Sequence, residues 1–143
     1  MKAKLRVESL EFLNSMSKNT ILDVLGIQFT GIGEDFIEAT MPVDPRTHQV
    51  YGILHGGANA VLAETLGSAG SMLTVDPLKY KCVGLDINLN FVKAVRSGNV
   101  IGTARPIHTG KSTQVWHIEI KTEGGDLVCI CRLTVMIVPI EVK

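Results

Sequence analysis

The fold is decided by one stretch of the chain, residues 50–68, which reads VYGILHGGANAVLAETLGS. A turn with one histidine and two glycines opens onto a segment that is apolar and small-residued almost throughout, and this predicts a long central helix over residues 57–73. One carboxylate, Glu64, interrupts the apolar run. Because burying a charge without a partner is costly, an acid at this place indicates a function, and catalysis is a good candidate.

Small residues recur along the same helix at helical spacing, at Ala60, Ala63, Gly67 and Gly70. They leave one face of the helix almost without side chains. Since each glycine weakens a helix by roughly 1 kcal/mol relative to alanine, two of them on one face indicate that a sheet approaches closely.

The N-terminal segment, residues 1–25, reads as helical. A first helix is expected to carry an apolar side, and Thr20 can cap a second helix that ends at Gly26. The residues on the apolar side of the first helix are Leu5, Leu10, Leu13 and Met16.

Strand patterns occupy most of the remaining chain. They cover residues 27–32, 36–43, 82–92, 100–107, 115–121 and 127–138, with a hairpin signal at 124–126. Runs of strands with one mid-chain helix indicate an α+β class with an antiparallel sheet. A long helix wrapped by a curved antiparallel sheet is the hotdog arrangement, and residues 1–143 are expected to form one such domain.

Composition excludes several classes. Lysine plus arginine equals aspartate plus glutamate at 14 each, which argues against broad binding to nucleic acids or anionic membranes. No apolar run reaches the ~18 residues of a membrane span, and the basic start lacks the apolar core of a signal peptide. Cys82, Cys129 and Cys131 make no disulfide framework and are expected to be reduced thiols of a cytoplasmic protein. Zinc-ligand spacing is absent among the cysteines and the four histidines, so no metal site is expected.

Polar side chains gather around the turn and the helix at Gln49, His55, Glu64 and Ser68. Glu64 and Ser68 are one helical turn apart and share a face. Gly56 lies at the N-terminus of the helix, where backbone N–H groups lack intrahelical partners. Its amide is therefore suited to polarise a carbonyl oxygen that gains negative charge.

The spacing of these groups sets a condition on the assembly. Eight helical residues separate Gly56 from Glu64, or about 12 Å along the axis, which a glutamate side chain does not easily span. If both groups act on one substrate, Gly56 of one subunit must face Glu64 of another, and two antiparallel helices across a two-fold axis would do this twice. The catalytic interpretation therefore requires at least a dimer.

Further motifs complete a family pattern. They are RTHQ at 46–49, LHGG at 54–57, LAETLGS at 62–68, VGLDIN at 83–88, PIHTG at 106–110 and QVW at 114–116. Over about residues 22–138 the chain resembles hotdog-fold acyl-CoA thioesterases of the phenylacetate-pathway type and the glutamate-dependent 4-hydroxybenzoyl-CoA branch. Within them it is most similar to the 1,4-dihydroxy-2-naphthoyl-CoA and enterobactin-proofreading thioesterases.

The resemblance implies hydrolysis of an aryl- or medium-chain acyl-CoA to a free acid and CoA. Glu64 would attack the thioester carbonyl or activate the attacking water, and the sequence leaves both open. The Gly56 N–H of the other subunit would polarise the carbonyl, with Gln49 near the same oxygen or the leaving sulfur. His55 would orient Gln49 or the turn, and Ser68 would hold the water.

The resemblance also implies a homodimer or homotetramer, with no cofactor beyond the CoA of the substrate. The CoA phosphates would be met by Lys93, Arg96, His108, Lys111 and Ser112.

Other interpretations of the same residues stay open. Glu64 can be a carboxylate satisfied at a subunit interface, His55 a hydrogen-bonded turn residue, and Ser68 can bond back to the helix backbone. The alternative functions are a non-catalytic acyl-CoA-binding protein and a hotdog dehydratase or hydratase. The dehydratases rely on a loop of the Gly-His-Phe-Pro kind, which this sequence lacks.

Overall fold

The computed structural model describes residues 4–141. Two short helices, α1 (Leu10–Met16) and α2 (Ile21–Leu25), precede strands β1 (Gln28–Ile32) and β2 (Ile37–Pro42). The long helix α3 (Gly56–Met72) comes next. Four longer strands follow: β3 (Tyr80–Phe91), β4 (Asn99–Thr109), β5 (Thr113–Thr122) and β6 (Leu127–Pro139). Helix α3 thus begins and ends one residue before the predicted range.

One antiparallel sheet contains all six of these strands, in the order β1-β2-β4-β5-β6-β3. Helix α3 packs against β2, β3, β4, β5 and β6, so the sheet wraps around it. The small-residue face of α3 permits this approach. A Cβ on Gly67 would overlap the Leu133 side chain, and one on Gly70 would lie 2.6 Å from the Trp116 ring. The α+β hotdog fold and the close approach of sheet to helix are both confirmed.

The N-terminal segment departs from the prediction. Residues 1–3 of the predicted 1–25 segment lie outside the described residues, and residues 4–9 are not helical. Backbone groups in this stretch bind distant parts of the chain: the Leu5 N–H donates to the Glu34 carbonyl at 3.0 Å, and the Arg6 N–H to the Leu73 carbonyl at 2.8 Å. Leu5 is buried in consequence but Met16 is half-exposed, so the expected common apolar side is wrong.

Helix α2 follows its sequence signals. The Thr20 side chain accepts the Leu22 N–H at 3.2 Å, and Gly26 ends the helix in the left-handed conformation with φ 72°. These are the cap and the stop that the sequence predicts.

Strand β3 forms one edge of the sheet and carries exposed apolar side chains. Leu85 is 58% exposed and Phe91 is 60% exposed. Pairing with β6 shifts between Gly84 and Asp86, which leaves Leu85 out of the ladder as a bulge. Native proteins seldom leave a long apolar edge of this kind uncovered.

Candidate active site

The N-terminus of α3 is formed by the His-Gly-Gly turn. His55 is the N-cap residue, and its Nδ1 accepts the Gly57 N–H at 2.7 Å. Within residues 4–141 the Gly56 N–H has no acceptor. The cap therefore leaves the Gly56 amide available to a ligand at the end of the helix, where the dipole favours negative charge.

Glu64 lies eight residues further along α3 and is half-buried. The Ser68 hydroxyl donates a hydrogen bond to Glu64 Oε1 at 2.7 Å, so Ser68 binds the carboxylate and not the helix backbone. A Cβ on Gly84 of β3 would lie 2.9 Å from the same oxygen. The carboxylate is thus held between its own helix and the edge strand.

Gly84 was not among the predicted site residues. A single glycine inside a strand pattern is nevertheless a signal for a bulge or for the close approach of another group. Both occur here, because the β3 bulge begins at Gly84 and the Glu64 carboxylate lies against it.

A cleft of about 500 Å³ opens beside Glu64 and Ser68. Helices α1 and α2 supply one wall, and the second half of α3 and the start of β3 supply another. The apolar or aromatic side chains that line the cleft include Leu13, Met16, Leu22, Phe29 (on β1), Met72 and Tyr80. Small organic ligands bind in clefts of this size and polarity.

Gln49 lies in the loop that leads to α3. Its side-chain oxygen accepts the Tyr51 N–H of the same loop. At the start of the loop the Arg46 guanidinium donates a hydrogen bond to the Asp44 carboxylate, and this bond lowers the pKa of the Asp44 carboxyl. Across the described residues no hydrogen bond joins Gln49 to His55, so the role of Gln49 stays a prediction.

The residues predicted to meet the CoA phosphates fall into two groups. Lys93 and Arg96 follow β3, near the start of α3, and Lys93 pairs with Asp126 at 2.5 Å. The second group is at the β4–β5 hairpin, near the end of α3, and contains His108, Lys111 and Ser112. Strand β4 spans the sheet between the two ends, about 30 Å at the usual rise per residue. A single chain therefore does not bring the five residues together.

The cysteines are unsuited to nucleophilic chemistry. Burial raises the pKa of Cys129 to about 11 and the pKa of Cys131 to about 12, and it also raises the pKa of Cys82. Since the thiolate is the reactive form, these groups stay protonated and inert near neutral pH.

Neither a metal-binding cluster nor a membrane-spanning helix occurs in residues 4–141. No group of three His, Cys, Asp or Glu side chains between residues 4 and 141 is arranged to hold a metal ion. Over the same part of the chain, no helix has the length and hydropathy needed to cross a bilayer.

Comparison with known proteins identifies the family. Residues 51–129 match the model of the thioesterase superfamily. The chain belongs to this superfamily. It is 49% identical over 129 residues to the 1,4-dihydroxy-2-naphthoyl-CoA hydrolase of Escherichia coli, covering 90% of this chain and 94% of that protein. It is 48% identical over 128 residues to a proofreading thioesterase of Cronobacter turicensis, covering 88% of this chain and 91% of that protein.

A solved structure agrees with these matches. A thioesterase from Pseudomonas aeruginosa, crystallised as a glutamine-to-alanine variant, superposes with a TM-score of 0.94 at 47% identity. The match covers 97% of this chain and 100% of that one. The expected family, the hotdog fold and thioesterase activity are therefore confirmed for this thioesterase, while the acyl-CoA substrate and the roles of single residues remain predictions.

Proposed function

We propose that this thioesterase hydrolyses aryl- or medium-chain acyl-CoA to a free acid and CoA, at sites shared between the subunits of a homodimer. The observation that carries the proposal is the placement of Glu64, whose carboxylate is held by Ser68 on the wall of the apolar cleft. Hydrolysis of a thioester needs a carboxylate, a positioned water and an oxyanion donor. Glu64, Ser68 and the free Gly56 N–H are the candidates for these three tasks.

The cleft supports an apolar acyl group of moderate size. Its volume of about 500 Å³ lies within the range of ligand sites, and its lining offers few polar partners. The naphthoyl group in the name of the Escherichia coli relative supports the aryl class. The unpaired cysteines fit the cytoplasmic location that is part of the proposal.

Two routes lead from the same groups to the same products. In one, Glu64 takes a proton from water as the water oxygen bonds to the carbonyl carbon. The oxyanion that forms accepts a hydrogen bond from the N–H of the partner subunit's Gly56. The C–S bond then breaks, and the CoA thiolate leaves and takes up a proton. In the other, a Glu64 oxygen bonds to the carbonyl carbon, the thiolate leaves, and water hydrolyses the resulting anhydride. Neither route needs a metal or a further cofactor.

The shared site follows from the reach of the side chains. Gly56 and Glu64 of one chain are about 12 Å apart along α3, so one carbonyl is not reached by both. The exposed edge of β3 supplies a surface on which a second copy can continue the sheet. A two-fold axis at this edge would place the α3 helices side by side and antiparallel, as the shared site requires.

Two contacts inside one chain indicate where the axis crosses β3. Glu64 lies against Gly84, and Gly56 lies against Phe91. Glu64 approaches the partner subunit's Gly56 when Gly84 stands opposite the partner subunit's Phe91. Because Leu85 lies outside the ladder, the midpoint of these two strand positions is Asn88, and the axis is expected to pass there.

The same arrangement would reunite the predicted CoA-binding residues. Antiparallel pairing brings the Lys93 end of one β3 towards the Tyr80 end of the other, close to the hairpin that carries Lys111. A CoA site at the interface of this dimer, or of a tetramer built from two such dimers, is part of the proposal.

A thiol-release assay tests the reaction. Benzoyl-CoA, hydroxyphenylacetyl-CoA, 1,4-dihydroxy-2-naphthoyl-CoA and decanoyl-CoA are offered to the wild type and to Glu64→Gln. We expect turnover of at least one ester and a loss of about 100-fold or more in the variant, as for removal of a main catalytic group. Tight binding of CoA esters without release of thiol would favour the non-catalytic alternative. Near-normal turnover by Glu64→Gln would contradict the mechanism.

Cysteine cross-linking tests the axis. In a Cys82→Ser background, Asn88→Cys is expected to form a disulfide-linked dimer, because paired residues in an antiparallel ladder have Cα atoms about 4.5–5.5 Å apart. Val83→Cys is the matched control on the same strand, since two copies of that position would be about 27 Å apart. Cross-linking of Val83→Cys in place of Asn88→Cys would contradict the proposed register.

A further inference from the structure

We infer that Gly84 is a positioning residue for the Glu64 carboxylate. Because Gly84 has no side chain, the carboxylate lies directly against the backbone of the edge strand, and this contact sets its position. This inference rests on the proposed hydrolysis at Glu64. It assigns to β3 a part in catalysis that is distinct from any part in subunit pairing.

The distances show that space, and not backbone conformation, requires a glycine here. A Cβ at position 84 would lie 2.9 Å from Glu64 Oε1, inside the 3.4 Å at which ordinary contact begins, and 3.8 Å from Glu64 Cδ and Cγ. Gly84 does not have a positive φ, unlike Gly26, Gly52, Gly98 and Gly125. Alanine is therefore compatible with the strand and conflicts only with the end of one side chain.

The oxygen that Gly84 touches is also the oxygen that Ser68 binds at 2.7 Å. Glu64 Oε1 is thus confined by a hydrogen bond from α3 and by the backbone of β3. The strand bulge that begins at Gly84 releases Leu85 from pairing with β6. Bulges often re-aim a strand beside an active site, and this one lies where the strand meets the acid.

The expected consequence of Gly84→Ala is a loss of rate without a loss of fold. The carboxylate must move by about 0.5 Å to restore ordinary contact, a displacement at the tolerance of a preorganised site. We expect kcat to fall about 10-fold or more on the ester that the wild type prefers, with KM within about threefold. Thermal midpoint and gel-filtration elution are expected to match those of the wild type.

Gly124→Ala is the matched control, because a Cβ there meets nothing closer than Thr122 Oγ1 at 3.8 Å. We expect this variant to keep wild-type kcat. Gly102→Ala provides the opposite contrast, since its Cβ would lie 2.6 Å from the buried Leu66 side chain. We expect it to lower the thermal midpoint.

A second variant separates positioning from general damage. In a Glu64→Asp background the carboxyl group is one methylene shorter, and its carbon takes the place of Glu64 Cγ, 3.8 Å from a Cβ at position 84. That distance is an ordinary contact, so the overlap is removed. We therefore expect adding Gly84→Ala to Glu64→Asp to cost less than twofold in kcat, a non-additivity typical of residues in contact.

The outcomes distinguish the inference from the proposed function. A wild type that releases no thiol from any ester of the panel overturns the proposed function. An active wild type whose Gly84→Ala variant keeps full kcat overturns only the role of Gly84. A fall in thermal midpoint or loss of the dimer that parallels the fall in kcat would also overturn that role, and so would full additivity with Glu64→Asp.

Discussion

Gly70→Ala is expected to destabilise this thioesterase, although alanine is the better helix former. The substitution alone gains about 1 kcal/mol of helix propensity. The new Cβ, however, would lie 2.6 Å from Trp116 Cη2 and 2.8 Å from Cζ3. Trp116 is fully buried, and its Nε1 donates to Gln114 Oε1 at 3.3 Å, so the ring has no free space into which to turn.

Overpacking of a core typically costs 1–3 kcal/mol, so about 1 kcal/mol of net destabilisation is expected after the gain in propensity. For a chain of this length that is a fall of about 3 °C in Tm. Thermal unfolding followed by circular dichroism measures it, at one fixed protein concentration, because the Tm of the proposed dimer would depend on concentration.

The Trp116→Phe background supplies the control for this prediction. The shorter ring withdraws from position 70, so Gly70→Ala is expected to stabilise that background through the helix propensity of alanine. A rise in Tm when Gly70→Ala is made in the wild type would refute the close contact between helix and sheet.

Three further expectations follow from single contacts. Ser68→Ala removes a hydrogen bond to a carboxylate, a contact of about 1.5–3 kcal/mol. It is expected to slow thiol release by about 10-fold or more and to lower Tm by a few degrees. Full activity would show that Ser68 does not hold the acid. His55→Ala removes the N-cap hydrogen bond to Gly57 and is expected to lower the free energy of unfolding, measured in urea, by about 1 kcal/mol. An unchanged urea midpoint would contradict a stabilising role for this N-cap. The pKa values of about 11 and about 12 for Cys129 and Cys131 mean that both thiols stay protonated until the pH approaches those values. A thiol reagent at pH about 8 is therefore expected to spare them in the folded protein and to modify them after unfolding. Rapid labelling of both cysteines in the native state would contradict their burial.

The central helix and the sheet could be predicted because their signals are local. The spacing of Gly67 and Gly70 indicated close packing on one helix face, and both positions lie against side chains of the sheet. The caps at Thr20 and Gly26 are read within a few residues and were confirmed. Local chemistry also marked Glu64, since an acid in a run of small apolar residues requires an explanation.

The remaining features depend on partners that are distant along the chain. Leu5 is extended because it binds the backbone at Glu34, a contact that outweighs its helical pattern. The approach of Gly84 to Glu64 depends on the register of β3 and β6 and on the bulge between them. The separation of Lys93 from Lys111 depends on how β4 crosses the sheet. The spacing of neighbouring residues in the sequence predicts none of these three features.

Complementation between two inactive variants tests the shared site most directly. Glu64→Gln removes the acid, and Gly56→Pro removes the N–H at the first helical position, where proline is tolerated. His55 already has the extended conformation that a following proline requires, with φ −69° and ψ 132°. The new ring would press on Phe91, whose side chain is 60% exposed and free to swing away.

The two chains are co-expressed with different affinity tags, and the mixed dimer is purified through both. One of its two sites then combines an intact Glu64 with the partner subunit's intact Gly56, so thiol release at about half the wild-type rate is expected for two independent sites. A mixed dimer no more active than either parent would contradict a site built from both subunits.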